Sequence, residues 1–425
     1  MSTLTSTEPR RSSNGDGTPG HSGRPGGRVL SGPLALVFLS EFCALTGFYL
    51  LLSATPRYAA AIGAGSAGAG LVTSVLLLGT VAAELAAPLL MRRYGYWTML
   101  AAGALLLGVP ALALLPGPSL AVMVGVSVVR GLGFGLCTVM TGALTAVLLP
   151  PERRGEGLGL FGVVATVPGI VALPGGVWLA GHAGMASVVV LAAATALVPL
   201  TVFRWLSARS GPRRTAAAGA GTGRPGGPLA GLRQAGQLRP FLIFAASTAA
   251  GGVVVSFLPL ATGVSGDVAA AGLLVQALTA AIGRWWAGRR GDRAGHARLL
   301  VPALAIASLG MITMLWLASP AAVIAGMCLF GAGFGIGQNA TFALMIERVP
   351  ASGAGPASAL WNLAYDAGYG AGPVLFGLLA GHTGYPAAFA LTAVPMLAAL
   401  PAALRERSAA AAGPGVRKLH RFFTI

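Results

Sequence analysis

Apolar residues in this chain neither alternate nor recur as a single stripe. They run in blocks of about 20 residues, the length a helix needs to cross a bilayer. Charges and Pro/Gly turns separate the blocks. Cutting at those breaks predicts spans over residues 34–55, 69–91, 97–115, 119–146, 158–180 and 185–206, then 240–261, 268–287, 297–318, 320–346, 356–380 and 385–404. The expected fold is an all-α integral membrane protein with twelve transmembrane helices in two six-helix bundles. The bundles occupy residues 34–206 and 240–404. A linker at 207–239, rich in Arg, Gly and Pro, joins them, and residues 405–425 form a basic tail. Residues 1–33 are Ser, Gly, Pro and Arg-rich and are read as disordered. The first block, from Leu34 to Thr55, exceeds the core of a signal peptide and is read as a span.

The two bundles are copies. Arg130-Gly131-Leu132-Gly133-Phe134-Gly135 matches Phe330-Gly331-Ala332-Gly333-Phe334-Gly335, and Gly181-His182-Ala183-Gly184 matches Gly381-His382-Thr383-Gly384. The offset is 200 in both cases (331 − 131 and 382 − 182), and it also sets Pro150 against Pro350 and Arg93 against Arg293. A constant offset over that distance marks a tandem repeat and makes the bundles pseudo-symmetric.

Composition agrees with the blocks. The chain is 55% hydrophobic and 9% charged, where a soluble domain carries about 25% charged residues. A net charge of +17 is what a nucleic-acid binder shows, but here the charge sits in short clusters between apolar blocks and not on one domain. No nucleic-acid partner is expected; the expected partners are a small-molecule substrate, protons and membrane lipid, with the chain a monomer. Cys43, Cys137 and Cys328 all lie inside apolar stretches and form neither a disulfide framework nor a metal spacing.

Charge placement sets the orientation. Arg92, Arg93, Arg153, Arg154, the linker arginines, Arg289, Arg290, Arg293, Arg298 and Arg348 all fall on one side, with the tail. The opposite loops hold only Arg57 among Arg and Lys. Retention of positive residues inside places both termini and the linker in the cytoplasm, with the protein in the cell membrane.

Gly288, Asp292, Arg293 and Gly295 match a cytoplasmic loop pattern of Gly, then Asp-Arg, then Gly; the first-half counterparts are Pro88, Arg92, Arg93 and Gly95. With twelve spans in two halves and a basic linker, these residues resemble the major facilitator superfamily over residues 34–404. The resemblance implies that this loop latches the halves together, through Arg92, Arg93, Gly288, Asp292, Arg293 and Gly295. Arg92 stands where the family usually has Asp. The fourth-span pattern also departs, with Arg130 at the usual Gln place and Ser127 at the usual Arg place. Of a fifth-span antiporter pattern, Gly-Pro-x-x-Gly-Gly, only the final pair Gly175-Gly176 remains.

No catalytic or cofactor motif is present, so no enzyme activity and no cofactor or metal are expected. The glycine runs lack the preceding strand and the following Gly-Lys-Ser/Thr of a nucleotide loop. Within spans, Gly131 and Gly135 instead let a neighbouring helix come close. Ionisable groups inside spans are costly and must face the bundle interior or a wet cavity. They are Glu41 and Glu84, each about 10 Å in, Arg130 half-way down the fourth span, and Asp366 about 15 Å into the eleventh. Asn362, Asp366 and Tyr369 follow i, i+4, i+7 and form one polar stripe. Gln338 and Asn339 add hydrogen-bonding capacity in the tenth span. Arg130 has two prospective partners, Asp366 across the halves or Glu41 within its own.

These residues define a substrate and proton pathway. The expected function is secondary active transport by alternating access, with proton-coupled export of a hydrophobic small molecule such as a drug or secondary metabolite. An importer of a nutrient or metabolite, and a non-transporting receptor or scaffold, are the alternatives. Topology is directly testable. A cysteine introduced at 215–225 is expected to react with an impermeant thiol reagent only after permeabilisation; labelling in intact cells would invert the assignment.

Overall fold

The computed structural model describes residues 32–148, 154–209, 236–261, 264–350 and 353–411. The N-terminal 31 residues, most of the expected linker and the end of the basic tail lie outside the described residues. Within them the chain is helical throughout and crosses the membrane twelve times. The first half contains α1 (Gly32–Ala59), α2 (Gly65–Tyr94), α3 (Tyr96–Gly108), α4 (Leu120–Leu148), α5 (Arg154–His182) and α6 (Gly184–Arg209). The second contains α7 (Leu238–Phe257), α8 (Gly266–Ala294), α9 (Leu300–Thr313), α10 (Pro320–Glu347) and α11 (Ala354–Thr383). Three short pieces in line, α12 (Tyr385–Leu391), α13 (Ala393–Ala398) and α14 (Leu400–Ala411), make the twelfth crossing.

Local chemistry explains where the helices depart from expectation. No open loop separates the first two spans. A wider, π-type turn over Ala60–Ala64 joins them, and the reversal is made at Gly63 and Gly65 (φ 89° and 61°), a conformation that side chains disfavour. The third span gives way to a tighter 3-10 stretch at Val109–Leu114, where Pro110 removes a backbone donor. The last span is broken at Thr392 and Ala399, with Pro395 three residues after the first break and Pro401 two after the second.

The repeat is visible in the packing. A Cβ added at Gly131 would meet the Leu76 carbonyl oxygen at 1.9 Å, and one at Gly331 would meet the Gln276 oxygen at 2.3 Å. Gly135 abuts Thr80 O as Gly335 abuts Ala280 O, and Gly133 abuts Gly103 O as Gly333 abuts Ala303 O. Each pair of contacts keeps the offset of 200, as 76 and 276, 80 and 280, and 103 and 303 show. The glycines of α4 and α10 are therefore seats for the helices beside them, α2 and α3 in one half, α8 and α9 in the other. Close backbone approach of this kind is what holds helices together where lipid removes the hydrophobic drive.

The halves meet along two seams, α2 with α11 and α5 with α8. At the first, a Cβ at Gly70 would lie 2.2 Å from Pro373 O, Ser66 Oγ donates to Gly377 O (2.8 Å) and Ser74 Oγ donates to Gly370 O (2.6 Å). Ser256 of α7 adds a bond to Thr73 of α2 at 3.0 Å. Substituting the packed glycines tests this account. Gly131→Ala and Gly335→Ala are expected to lose about 1–3 kcal/mol by overpacking, read as a fall in the unfolding temperature of the purified protein. Gly125→Ala, with nothing within 4 Å of the added carbon, is the control expected to leave that temperature unchanged or raised. Equal effects at all three positions would remove the packing role.

Candidate substrate and proton site

Half-way along the α2–α11 seam the side chains change from hydroxyls to acids. Glu84 and Asp366 lie within hydrogen-bond reach of each other, one from each half. Asp366 is buried and Glu84 half-buried. A carboxylate has no proton to donate, so a bond between these two groups requires one of them to hold a proton. The α5–α8 seam carries a different pair at the same level. Arg284 donates through Nη1 to Thr166 Oγ1 of the opposite half (3.3 Å) and through Nη2 to Gln338 Oε1 of its own.

The repeat relates these two contacts. Positions 84 and 284 differ by 200, and so do 166 and 366. The structure therefore places an acid–acid pair and an Arg–hydroxyl pair at equivalent points of the two seams. Between them lie three tyrosines. Tyr49 of α1 is close enough to Asp366 and Arg284 to feel both charges, as is Tyr365. Tyr365 and Tyr369 stack with centroids 5.3 Å apart. Phe48 stacks on Phe134 at 3.6 Å and extends the aromatic surface into the first half.

The other sequence-nominated residues are placed as follows. Gln338 is buried on Arg284. Asn339 lies near Gly288, and its Oδ1 is buried without a partner. Tyr369 is buried beside Gly251. Asn362, on the same stripe as Asp366 and Tyr369, is exposed and makes no hydrogen bond among the described residues. Glu41 is buried against the hydroxyl of Thr141 on α4.

Arg130 meets neither prospective partner. Its Nε donates to Leu107 O and its Nη2 to Gly47 O, both at 3.1 Å, and it forms no ion pair among the described residues. It binds α4 to α1 and to the point where α3 tightens into its 3-10 end. The depth read from sequence was right to mark it as buried. Its partners were not legible, because they are backbone carbonyls of neighbouring helices, one within α1 and one near the end of α3.

At the ends of the helices nearer the linker, Arg92, Arg93, Asp292 and Arg293 are exposed. Asp292 Oδ1 lies 3.9 Å from His296 Nε2, and His296 Nδ1 lies 2.7 Å from Glu347 Oε1. Asp292 thus lies beside His296 of its own half, and among the described residues no hydrogen bond or ion pair joins these implied latch residues to the other half. Among the described residues, the hydrogen bonds and ion pairs between halves all lie from the level of Glu84 and Arg284 toward the other end. That end also holds His182 Nε2 at 3.9 Å from Asp267 Oδ1, across the α5–α8 seam.

Sequence reading missed Arg284, Thr166 and Tyr49. A signal for Arg284 existed, since it is the one charged residue of the expected span 268–287 and stands opposite Glu84 in the repeat.

Two six-helix bundles in the same orientation, with polar groups gathered between them at mid-depth, define a secondary-transporter fold. The family model for the Major Facilitator Superfamily matches residues 37–372, and the chain belongs to that superfamily. Solved structures agree on the fold. A bacterial homologue of the human lysosomal transporter Spinster, inward-facing and occupied, is 16% identical with a TM-score of 0.70, covering 88% of this chain and 96% of that one. A D-xylose–proton symporter gives 16%, 0.68, 88% and 96%. A POT family transporter in complex with a thioalcohol-conjugated peptide gives 12%, 0.68, 87% and 94%.

Arg130 supplies a prediction. Arg130→Ala removes two charge-assisted hydrogen bonds that tie α4 to α1 and α3, each worth about 1.5–3 kcal/mol. It is expected to lower the unfolding temperature and leave the pH optimum of transport where it was. A moved optimum at unchanged stability would show that Arg130 serves a carboxylate instead.

Proposed function

We propose that this protein is a proton-coupled exporter of a hydrophobic small molecule, working by alternating access in the cell membrane with its termini and linker cytoplasmic. The observation that carries the reading is the contact of Glu84 with Asp366 across the seam between the halves. With one proton shared, the contact is a hydrogen bond that joins α2 to α11. With none, it is two like charges in contact, a repulsion on the order of 4 kcal/mol at 4 Å and an effective dielectric of 20. A change of that size moves a two-state equilibrium by about a thousandfold. Gain or loss of a proton at this pair is therefore enough to choose between conformations.

The conformation seen here is bonded at the end bearing the α1–α2 turn and unbonded toward the linker, so in the proposed topology it faces inward. In the opposite conformation Arg92, Arg93 and the end of α8 from Gly288 to its cap at Gly295 would approach one another and latch. Glu41, Gln338, Asn339, Asn362 and Tyr369 complete the pathway. The aromatic, mostly apolar surface around Tyr49, Tyr365 and Phe48 favours a hydrophobic substrate body, and outward transport is the direction we assign.

The test uses proteoliposomes and a lipophilic fluorescent dye. Glu84→Gln and Asp366→Asn each keep a hydrogen-bonding group and remove the titrating one. Both are expected to abolish accumulation driven by a pH gradient, by tenfold or more, while dye exchange at equal pH persists. Undiminished driven accumulation in both variants would remove the pair from coupling.

A further inference from the structure

Arg284 is a cation without a counter-charge. Its partners are a threonine hydroxyl and a glutamine oxygen, both neutral, and its Nε is buried with no acceptor. It forms no ion pair among the described residues. A guanidinium carries five N–H donors in a fixed fork and never gives up its charge in ordinary protein settings. A half-buried charge whose Nε is fully enclosed is costly in this state, and such charges are normally paired or bound to something.

The groups facing Arg284 do not resolve the deficit. Across the seam α5 offers Thr166, α10 offers Gln338, and α1 and α11 offer the hydroxyls of Tyr49 and Tyr365. The nearest carboxyl groups are otherwise engaged: Asp366 with Glu84, and Glu41 with Thr141. The repeat shows why the counter-charge is missing. At the first seam, position 84 faces an aspartate at 366; at the second, position 284 faces a threonine at 166, the place equivalent to that aspartate. One seam carries its own acid partner. The other carries a cation, a hydroxyl and an open donor.

We propose that the partner of Arg284 is the substrate, and that the substrate is an amphiphilic organic anion: a carboxylate on an aromatic or aliphatic body. This deepens the transport reading and rests on it. The anionic group accepts from the free Nε and from a terminal nitrogen, the two-point geometry that matches guanidinium to carboxylate. The hydroxyl of Thr166 turns to donate to the same group. The body lies against Tyr49 and Tyr365, and the flat face of the Tyr365–Tyr369 stack suits an aromatic one. A lipophilic cation is excluded from this place by charge. A neutral molecule leaves the guanidinium as it was. Loading the anion also bonds α5 to α8 through the ligand, so substrate acts on one seam while the proton acts on the other.

Three probes that share a dansyl body test this: dansylglycine (anion), dansylglycinamide (neutral) and dansylcadaverine (cation). Binding of each to the purified full chain in nanodiscs is read from dansyl fluorescence. Dansylglycine is expected to bind about tenfold or more tightly than the amide, the range for a charge-assisted bidentate contact, and the cation weakest. Arg284→Gln is expected to erase the preference by weakening the anion alone, and Arg284→Lys to retain its direction. Thr166→Asp, which gives Arg284 the internal acid that the first seam has, is expected to erase it too and decides the matter should Arg284→Gln fail to fold. Equal binding of anion and amide to the unsubstituted protein overturns the proposal, as does a preference that survives either neutralising change, or no binding of dansylglycine at millimolar concentration. Flux separates this from the transport reading. Anion-selective binding without pH-driven uptake of dansylglycine into proteoliposomes would keep the site and remove transport. Driven flux of the amide without anion preference would do the reverse.

Discussion

Helices in hydrocarbon gain nothing from hiding apolar surface, because the surroundings are as apolar as they are. What holds this protein together is close approach of backbones at glycine, with small hydroxyls closing onto the exposed carbonyls. Within each half this gives fixed seats, as where Gly131 and Gly135 receive α2 with Thr80 Oγ1 bonded to Gly131 O at 3.3 Å. Between the halves the same chemistry is spread along a seam as separate small contacts, Ser66, Thr73 and Ser74 among them. No single large side chain locks the halves. A joint built this way can open by losing a few modest bonds in sequence, which a transporter requires and a scaffold does not.

Two equivalent seams have acquired opposite chemistry. The frame is symmetric down to the carbonyl each glycine meets, yet at mid-depth one seam has Glu84 and Asp366 and the other has Arg284 and Thr166. Symmetry gives both sites the same depth and the same mechanical standing between moving halves. The substitutions give one a proton to gain or lose and the other a fixed positive charge. Tyr49, within the field of both, stands where the two would sense each other.

Much of the fold was legible because bilayer thickness makes spans long and contiguous. The twelve crossings and the repeat follow from apolar blocks and a constant offset. The boundaries slipped where proline or glycine overrides the block, at Ala60–Ala64, after Gly108 and through the last span, and at α8, which continues past residue 287 to Ala294. The site was legible in part. Asp366 and Glu84 were marked as acids out of place in apolar runs, but their meeting depends on how α2 and α11 are rotated, which no local pattern records. Arg130 was marked for the same reason and given the wrong partners, since it bonds to backbone carbonyls of α1 and α3, which no local pattern announces. Arg284 hid beside Arg289 and Arg290, where it resembles one more member of a cytoplasmic cluster.

The turn between α1 and α2 has a consequence for motion. Residues 32–94 form a hairpin whose reversal is confined to the short turn from Ala60 to Gly65, with non-helical backbone at Gly63 and Gly65. A hairpin with so little slack behaves as a lever and not as two independent rods. Its first arm carries Tyr49 and the Gly47 carbonyl that grips Arg130; its second carries Glu84. On the proposed reading, a displacement of α2 at Glu84 is passed to Tyr49 through this short turn.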